Sequence, residues 1–249
     1  MGAVERDELD RLRRQIAVLS GRPDQRSGEV ADRAAGVLPV PAALAELLPR
    51  RGLAKGGVVS VSGARSVLLS VLATASSSGA QVGIVGMPRL NLEAIVEWGG
   101  DLSRIATVPD PGVDPVEVAG VLLDGMDLVV LDLHGITVAP SRTRVVMGRL
   151  RKQLSTLIVV GACWPGAQLR LDTEVLSYRH LPGTGTDDLA AARPGYGRIG
   201  GMSLQVTATD RGQRRRAGEI DICTTGFGSD TRLQLVTATR RPAELAVAN

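Results

Sequence analysis

The stretch Val61-Ser62-Gly63-Ala64-Arg65-Ser66-Val67-Leu68-Leu69 stands where a β-branched run gives way to helical spacing. A strand, a glycine turn and a helix are the setting of a phosphate-binding loop, whose pattern is G-x-x-x-x-G-K-[ST]. In that loop successive backbone N–H groups cradle phosphates, the lysine meets the β/γ charge and the hydroxyl holds Mg²⁺. This sequence keeps the first glycine, Gly63. It lacks the second glycine, the lysine and the correctly spaced hydroxyl, and its turn is too short. Losing the lysine and several charge-assisted hydrogen bonds costs roughly 4–6 kcal/mol, at about 1.5–3 kcal/mol each. Affinity then falls on the order of a thousandfold or more. Gly63, Ala64, Arg65 and Ser66 therefore read as a degenerate nucleotide site. Asp132, after the apolar run Leu128–Leu131, holds the matching acidic position. With no phosphate cradle nearby, its expected role is to cap a loop or pair with an arginine. Arg65 is the one residue of the loop that could meet an anion at the helix N-terminus.

No other catalytic pattern is present. His134 and His180 are far apart, and no Cys/His/acid spacing suggests a metal. There is no G-x-S-x-G and no Cys–His arrangement, and Gly79, Gly83 and Gly86 do not form a dinucleotide fingerprint. The reading is a protein that is not an enzyme and carries no cofactor and no metal.

The elements that would position this site emerge from periodicity. Val58–Ser62, Gln81–Met87, Ile105–Val108, Leu128–Leu133 and Thr156–Ala162 read as strands. Helices lie between them, one capped by Asn91 and one opening at Asp114-Pro115-Val116-Glu117. Strands alternating with helices predict a mainly parallel sheet, and unbroken apolar runs fit strands buried on both faces. After residue 167 the pattern turns to alternation at Leu169, Leu171, Thr173 and Val175, at Met202, Leu204, Val206 and Ala208, at Ile220 and Ile222, and at Leu233, Leu235 and Thr237. These predict antiparallel strands with one wet face. Residues 182–198 read as a loop and Asp210–Gly218 as a polar turn.

Composition bounds the rest. The chain has 249 residues, 44% hydrophobic, enough for a substantial core. Aromatics make up 2%, too few to stack the bases of a single strand. The formal net charge of +3 is compatible with nucleic acid without demanding it. Basic charge concentrates at Arg211, Arg214, Arg215 and Arg216, and on a helix carrying Arg142, Arg144, Arg149, Arg151 and Lys152. These are the candidate contacts for direct DNA binding. Cys163 and Cys223 lie far apart and read as reduced thiols. The charged N-terminus is unlike a signal peptide, and no apolar run approaches the roughly 20 residues needed to span a bilayer. A cytoplasmic protein is expected, with no membrane contact.

Leu9, Leu12, Ile16 and Leu19 fall on one stripe of an amphipathic helix, which residues 21–36, rich in Gly, Pro, Ser and Asp, separate from the remainder of the chain. A short helix of this kind needs its apolar stripe covered, by its own core, a second copy or a partner. The expected organisation is an N-terminal helix over 1–20, a linker over 21–36, a core over 37–224, and a C-terminal strand and tail over 225–249.

The layout resembles the RecA ATPase core. Gly52-Leu53-Ala54-Lys55-Gly56-Gly57-Val58-Val59 looks like the entry to its first core strand, and the order from Val108-Pro109-Asp110-Pro111-Gly112 through Asp127–Asp132 matches the family. The family's catalytic glutamate is absent: Met87-Pro88-Arg89-Leu90 stands in its place. A RecA-like core with these losses is similar to the actinobacterial ImuA′ proteins, a resemblance carried by Trp164-Pro165-Gly166-Ala167-Gln168-Leu169-Arg170-Leu171 and Leu123-Asp124-Gly125-Met126-Asp127. That resemblance implies an accessory protein of a damage-induced translesion complex within the SOS response. It implies a partnership with an ImuB-like, inactive Y-family polymerase homologue and, indirectly, with an error-prone C-family polymerase. In RecA the segment before the core packs on a neighbouring protomer. Leu9, Leu12, Ile16 and Leu19 are accordingly the candidate partner-binding residues. DNA and self-association are the further partners the resemblance admits, with nucleoid association after damage.

Overall fold

A computed structural model describes residues 36–181, 198–225 and 232–238. The chain divides into two units, residues 1–36 and 37–249. The N-terminal stripe Leu9, Leu12, Ile16 and Leu19 lies outside the described residues, as do residues 182–197 and the tail after 238.

The second unit opens with a small ribbon, β1 (Val37–Leu38) against β2 (Leu53–Ala54), around the short helix α1 (Ala42–Ala45). Then come β3 (Val58–Gly63), α2 (Arg65–Ser77), β4 (Val82–Val85), α3 (Leu92–Glu97) and β5 (Ile105–Val108). They are followed by α4 (Pro115–Leu122), β6 (Leu128–Asp132), α5 (Pro140–Gln153) and β7 (Thr156–Val160). Four long antiparallel strands complete the unit: β8 (Leu169–Leu181), β9 (Arg198–Asp210), β10 (Arg215–Thr225) and β11 (Arg232–Thr237). All except β1 and β2 join one nine-stranded sheet in the order β11-β10-β9-β8-β3-β7-β6-β4-β5.

The sheet has two regimes, as the alternation of the sequence requires. From β5 to β8 every pairing is parallel, and from β8 to β11 every pairing is antiparallel. In the parallel block successive side chains enter opposite cores. Val59, Val61, Ile84, Val130 and Ile158 pack under α2, and Val58, Val85, Val129, Leu131, Leu157 and Val159 pack under α4 and α5. That two-sided burial explains the unbroken apolar runs. The first core continues across the antiparallel strands through Leu171, Leu204, Val206, Ile220, Ile222 and Leu235. The other face of those strands carries Arg170, Asp172, Glu174, Gln205 and Thr207, and a polar groove of about 580 Å³ runs along it. The expected architecture, a mainly parallel sheet flanked by helices with antiparallel C-terminal strands, is that of the described residues.

Local chemistry sets the helix ends. Asn91 Oδ1 accepts from the N–H groups of Glu93 and Ala94, and Asp114 Oδ1 accepts from Glu117 N–H at 3.0 Å with Pro115 at the first helical position. These groups satisfy donors that have no partner inside the helix. The expected polar turn Asp210–Gly218 is shorter in the structure. Asp210 closes it by accepting from Arg214 N–H, and Arg215 and Arg216 already belong to β10, paired with Thr209 and Ala208. Among the described residues no helix is long and apolar enough to cross a membrane.

Candidate functional site

The carboxyl ends of parallel strands form a crevice where ligands of open α/β sheets bind. Here β3, β6 and β7 end at Gly63, Asp132 and Val160, around a crevice of about 380 Å³ that Arg65, His134 and Gly161 also line. The sequence pattern assigns Gly63, Ala64, Arg65, Ser66 and Asp132 to one site. The structure brings Gly63, Ala64, Arg65 and Asp132 together along this crevice.

The turn itself is closed. Gly63 takes φ +87°, in the left-handed region that favours glycine, and a Cβ there would lie 2.7 Å from the Thr173 carbonyl carbon and nearer still to its oxygen. Ala64 N–H donates to Thr173 O at 3.2 Å, and helix α2 begins one residue later. A phosphate cradle needs successive N–H groups that converge on open space. In this turn one of them is taken by β8, and no residues remain between Ala64 and the helix to build the rest. Ala64 gives α2 no side-chain cap. The Oγ of Ser66 and the Oγ1 of Thr173 are buried with no hydrogen-bond partner among the described residues.

Across the crevice, Asp132 is buried, and one of its oxygens is engaged by the loop that follows β6. Its Oδ1 accepts from His134 N–H at 2.9 Å and lies 3.5 Å from His134 Nδ1, while Nε2 of the same ring sits 2.7 Å from Gly86 O. His134 has φ 46°, the left-handed region, so the peptide turns sharply enough to bring its N–H back onto the carboxylate. Gly161, φ +75°, leaves room for this: a Cβ there would lie 3.1 Å from His134 N and within contact distance of Asp132 Oδ1. Asp132 thus caps the loop after β6. His134 went unread in the sequence as part of this site. The available signal was the Asp132-Leu133-His134-Gly135 string, in which a short polar residue two before a left-handed position can receive its N–H.

The other predicted residues lie elsewhere. Arg211 and Arg214 sit in the β9–β10 turn and Arg215 and Arg216 at the start of β10, at the opposite end of the sheet from the crevice. The basic helix is partly neutralised. Arg142 pairs with Asp114 and Arg149 with Glu117, both at the start of α4. The Arg142 guanidinium, with the Glu117 N–H, holds the Asp114 carboxyl below its ordinary range. Cys163 is exposed, Cys223 is half-buried, and both are free thiols.

A profile of the MT3502 N-terminal domain family matches residues 46–166. The uncharacterized protein Rv3395c of Mycobacterium tuberculosis is 44% identical over 209 residues, spanning 82% of this chain and 93% of that protein. The chain belongs to the Rv3395c family. Among solved structures, the RadB recombinase is 16% identical at a TM-score of 0.48, covering 77% of this chain and 96% of its own. The KaiC-like protein PH0186 of Pyrococcus horikoshii OT3 is 13% identical at a TM-score of 0.45, covering 80% of this chain and 99% of its own. Neither likeness speaks to activity. The segment that matches the MT3502 N-terminal domain family runs from the end of α1 past β7, so it contains Gly63, Ala64, Asp132 and His134.

Proposed function

We propose that this member of the Rv3395c family is a non-catalytic adaptor that uses a RecA-like core as a scaffold. Its setting, by the resemblance to ImuA′, is a damage-induced translesion complex. There it binds an inactive Y-family polymerase homologue and supports an error-prone C-family polymerase. The observation that carries the non-catalytic half is the turn after β3. Ala64 N–H is bonded to Thr173 O, Gly63 is packed against the same carbonyl, and no lysine comes after it in the turn. Opening this turn for phosphate would break the hydrogen bond and separate the end of β3 from β8. Asp132, the remaining acid, is occupied by the His134 peptide.

Two measurements test the reading. Titration with Mg·ATP should give no heat and no thermal shift, because a ligand that binds the native state at 100 times its Kd stabilises by about 2.7 kcal/mol. Binding in the micromolar range, or steady hydrolysis, overturns the non-catalytic half. Affinity purification from damaged cells after nuclease treatment should recover the Y-family homologue and the C-family polymerase. Recovery of neither overturns the adaptor half.

A further inference from the structure

The described residues hold both paired and unpaired cations. Arg104, Arg142, Arg149, Arg170 and Arg179 each hold an ion pair, with Asp101, Asp114, Glu117, Asp172 and Asp221. Arg151, Lys152, Arg211, Arg214 and Arg216 are among the exposed cations that form no ion pair with a described residue. Those five are not scattered. A Cβ at Gly56 would lie 3.5 Å from the Arg151 Cα, and Gly56 N–H donates to Ser155 O at 2.8 Å. Two residues on, Val58 N–H donates to Gln168 Oε1 at 2.6 Å, and Gln168 O accepts from Arg211 N–H at 3.0 Å. A continuous run of contacts therefore joins the end of α5, the start of β3 and the β9–β10 turn. They form one rim at the amino ends of the parallel strands. The crevice lies at the other end of β3, roughly 17 Å away for a six-residue strand.

The acids near this rim are engaged. Asp210 accepts from Arg214 N–H, and Asp124 accepts from the Gln153 amide at 3.0 Å. From β7 across β3, β8 and β9 to β10 the rim spans four strand spacings, or about 19 Å. A duplex rises about 3.4 Å per phosphate on each strand, so this span faces five or six phosphates of one strand. Arginine predominates, and its planar fork matches phosphate oxygens in a way a point charge does not. No aromatic side chain among the described residues accompanies it: Trp164 is buried in the core under α4 and α5. Without stacking platforms the rim favours the backbone of a duplex over unstacked bases.

We propose that this rim binds the phosphate backbone of a nucleic-acid duplex without reading its sequence, independently of the degenerate crevice and of the adaptor role. The test uses the full chain and a fluorescent 20-base-pair DNA duplex, with affinity measured from 50 to 200 mM salt. Five phosphate contacts, one per rim cation, give a slope of log K against log salt of about −4.5, a fall of roughly 500-fold across that range. The triple variant R211Q/R214Q/R216Q should flatten the slope by about 2–3 and weaken binding at least tenfold at 50 mM salt, with its melting temperature unchanged. R151Q/K152Q, on a different element, should flatten it by about 1–2. R89Q, an exposed cation in the loop after β4 at the carboxyl ends of the strands, should leave it unchanged. The proposal is overturned if the wild-type chain does not bind at 50 mM salt, or if neither rim variant alters the slope. It is also overturned if phosphatidylserine vesicles or a poly-glutamate peptide bind the rim while the duplex does not.

Discussion

Replacing Gly63 by alanine asks the β3–β8 junction to accept a methyl group where a carbonyl already stands. The new Cβ would be 2.7 Å from the Thr173 carbonyl carbon and 3.1 Å from its nitrogen, against ordinary contact of 3.4 Å or more. Both obstacles are backbone, so no side-chain rotation relieves them. The residue must also hold φ +87°, which costs an L-residue about 1–2 kcal/mol. Forcing the strands apart adds about 1–3 kcal/mol, and loss of the Ala64–Thr173 hydrogen bond about 1 kcal/mol. The expected destabilisation is about 3–6 kcal/mol, or roughly 6–24 °C in Tm at 2–4 °C per kcal/mol for a chain of this size. Gly79→Ala is the control. It too has positive φ, +97°, but nothing lies within 4 Å of its Cβ position, so it should cost about 1 kcal/mol from backbone strain alone. The difference between the two variants in urea unfolding isolates the close approach of β3 to β8. If Gly63→Ala falls within about 0.5 kcal/mol of Gly79→Ala, the turn is not closed against Thr173, and the physical ground for excluding a phosphate cradle is lost with it.

Gly161→Ala should destabilise by about 2–4 kcal/mol, combining left-handed strain with displacement of the Asp132 carboxylate from the His134 N–H. Chemical denaturation reads it, and a neutral result would mean that Asp132 does not cap the loop. Asp114, held below its ordinary range by the Arg142 hydrogen bond and then by the Glu117 N–H, links stability to pH. Its folded pKa is depressed, so its contribution is present above the unfolded value of 3.8 and is lost as pH falls through the lower folded value. Asp114→Asn should therefore melt below the wild type at pH 7, and the two curves should converge once the pH is below the folded value. A gap that persists there would assign the effect to packing.

What the sequence made legible was whatever depends on near neighbours. Asp114-Pro115 and Asn91 mark helix starts because their side chains reach N–H groups two or three residues on, and both do so in the structure. Leu128–Leu131 reads as a buried strand because its composition alone excludes water, and all four residues are buried. The alternation after residue 167 likewise revealed the antiparallel strands. The closed turn was legible only as missing residues. The partner that closes it, Thr173, pairs with Gly63 across the parallel register of β3 and β8, and no local pattern announces that. The pairings of the basic helix were hidden for the same reason: Arg142 and Arg149 find their acids on another element. The rim gathers cations from α5 and from the β9–β10 turn, segments whose nearness only the sheet order creates.

The same sheet order has a consequence for synthesis. Strand β3 is made early, yet its neighbours on both sides, β7 and β8, are translated late; Ser62 and its partner Asp172 are separated by 110 residues. At about 5–20 residues per second, β3 waits roughly 5–20 s for them. For that interval Val58, Val59 and Val61 face solvent or a chaperone, with Ser60 and Ser62 interrupting the apolar run. Before β7 emerges the nascent chain can pair only β1 with β2, and β4, β5 and β6 with one another. The strand that ends in the degenerate crevice thus completes its pairing near the end of synthesis, and the polar alternation along it lowers its tendency to aggregate in the meantime.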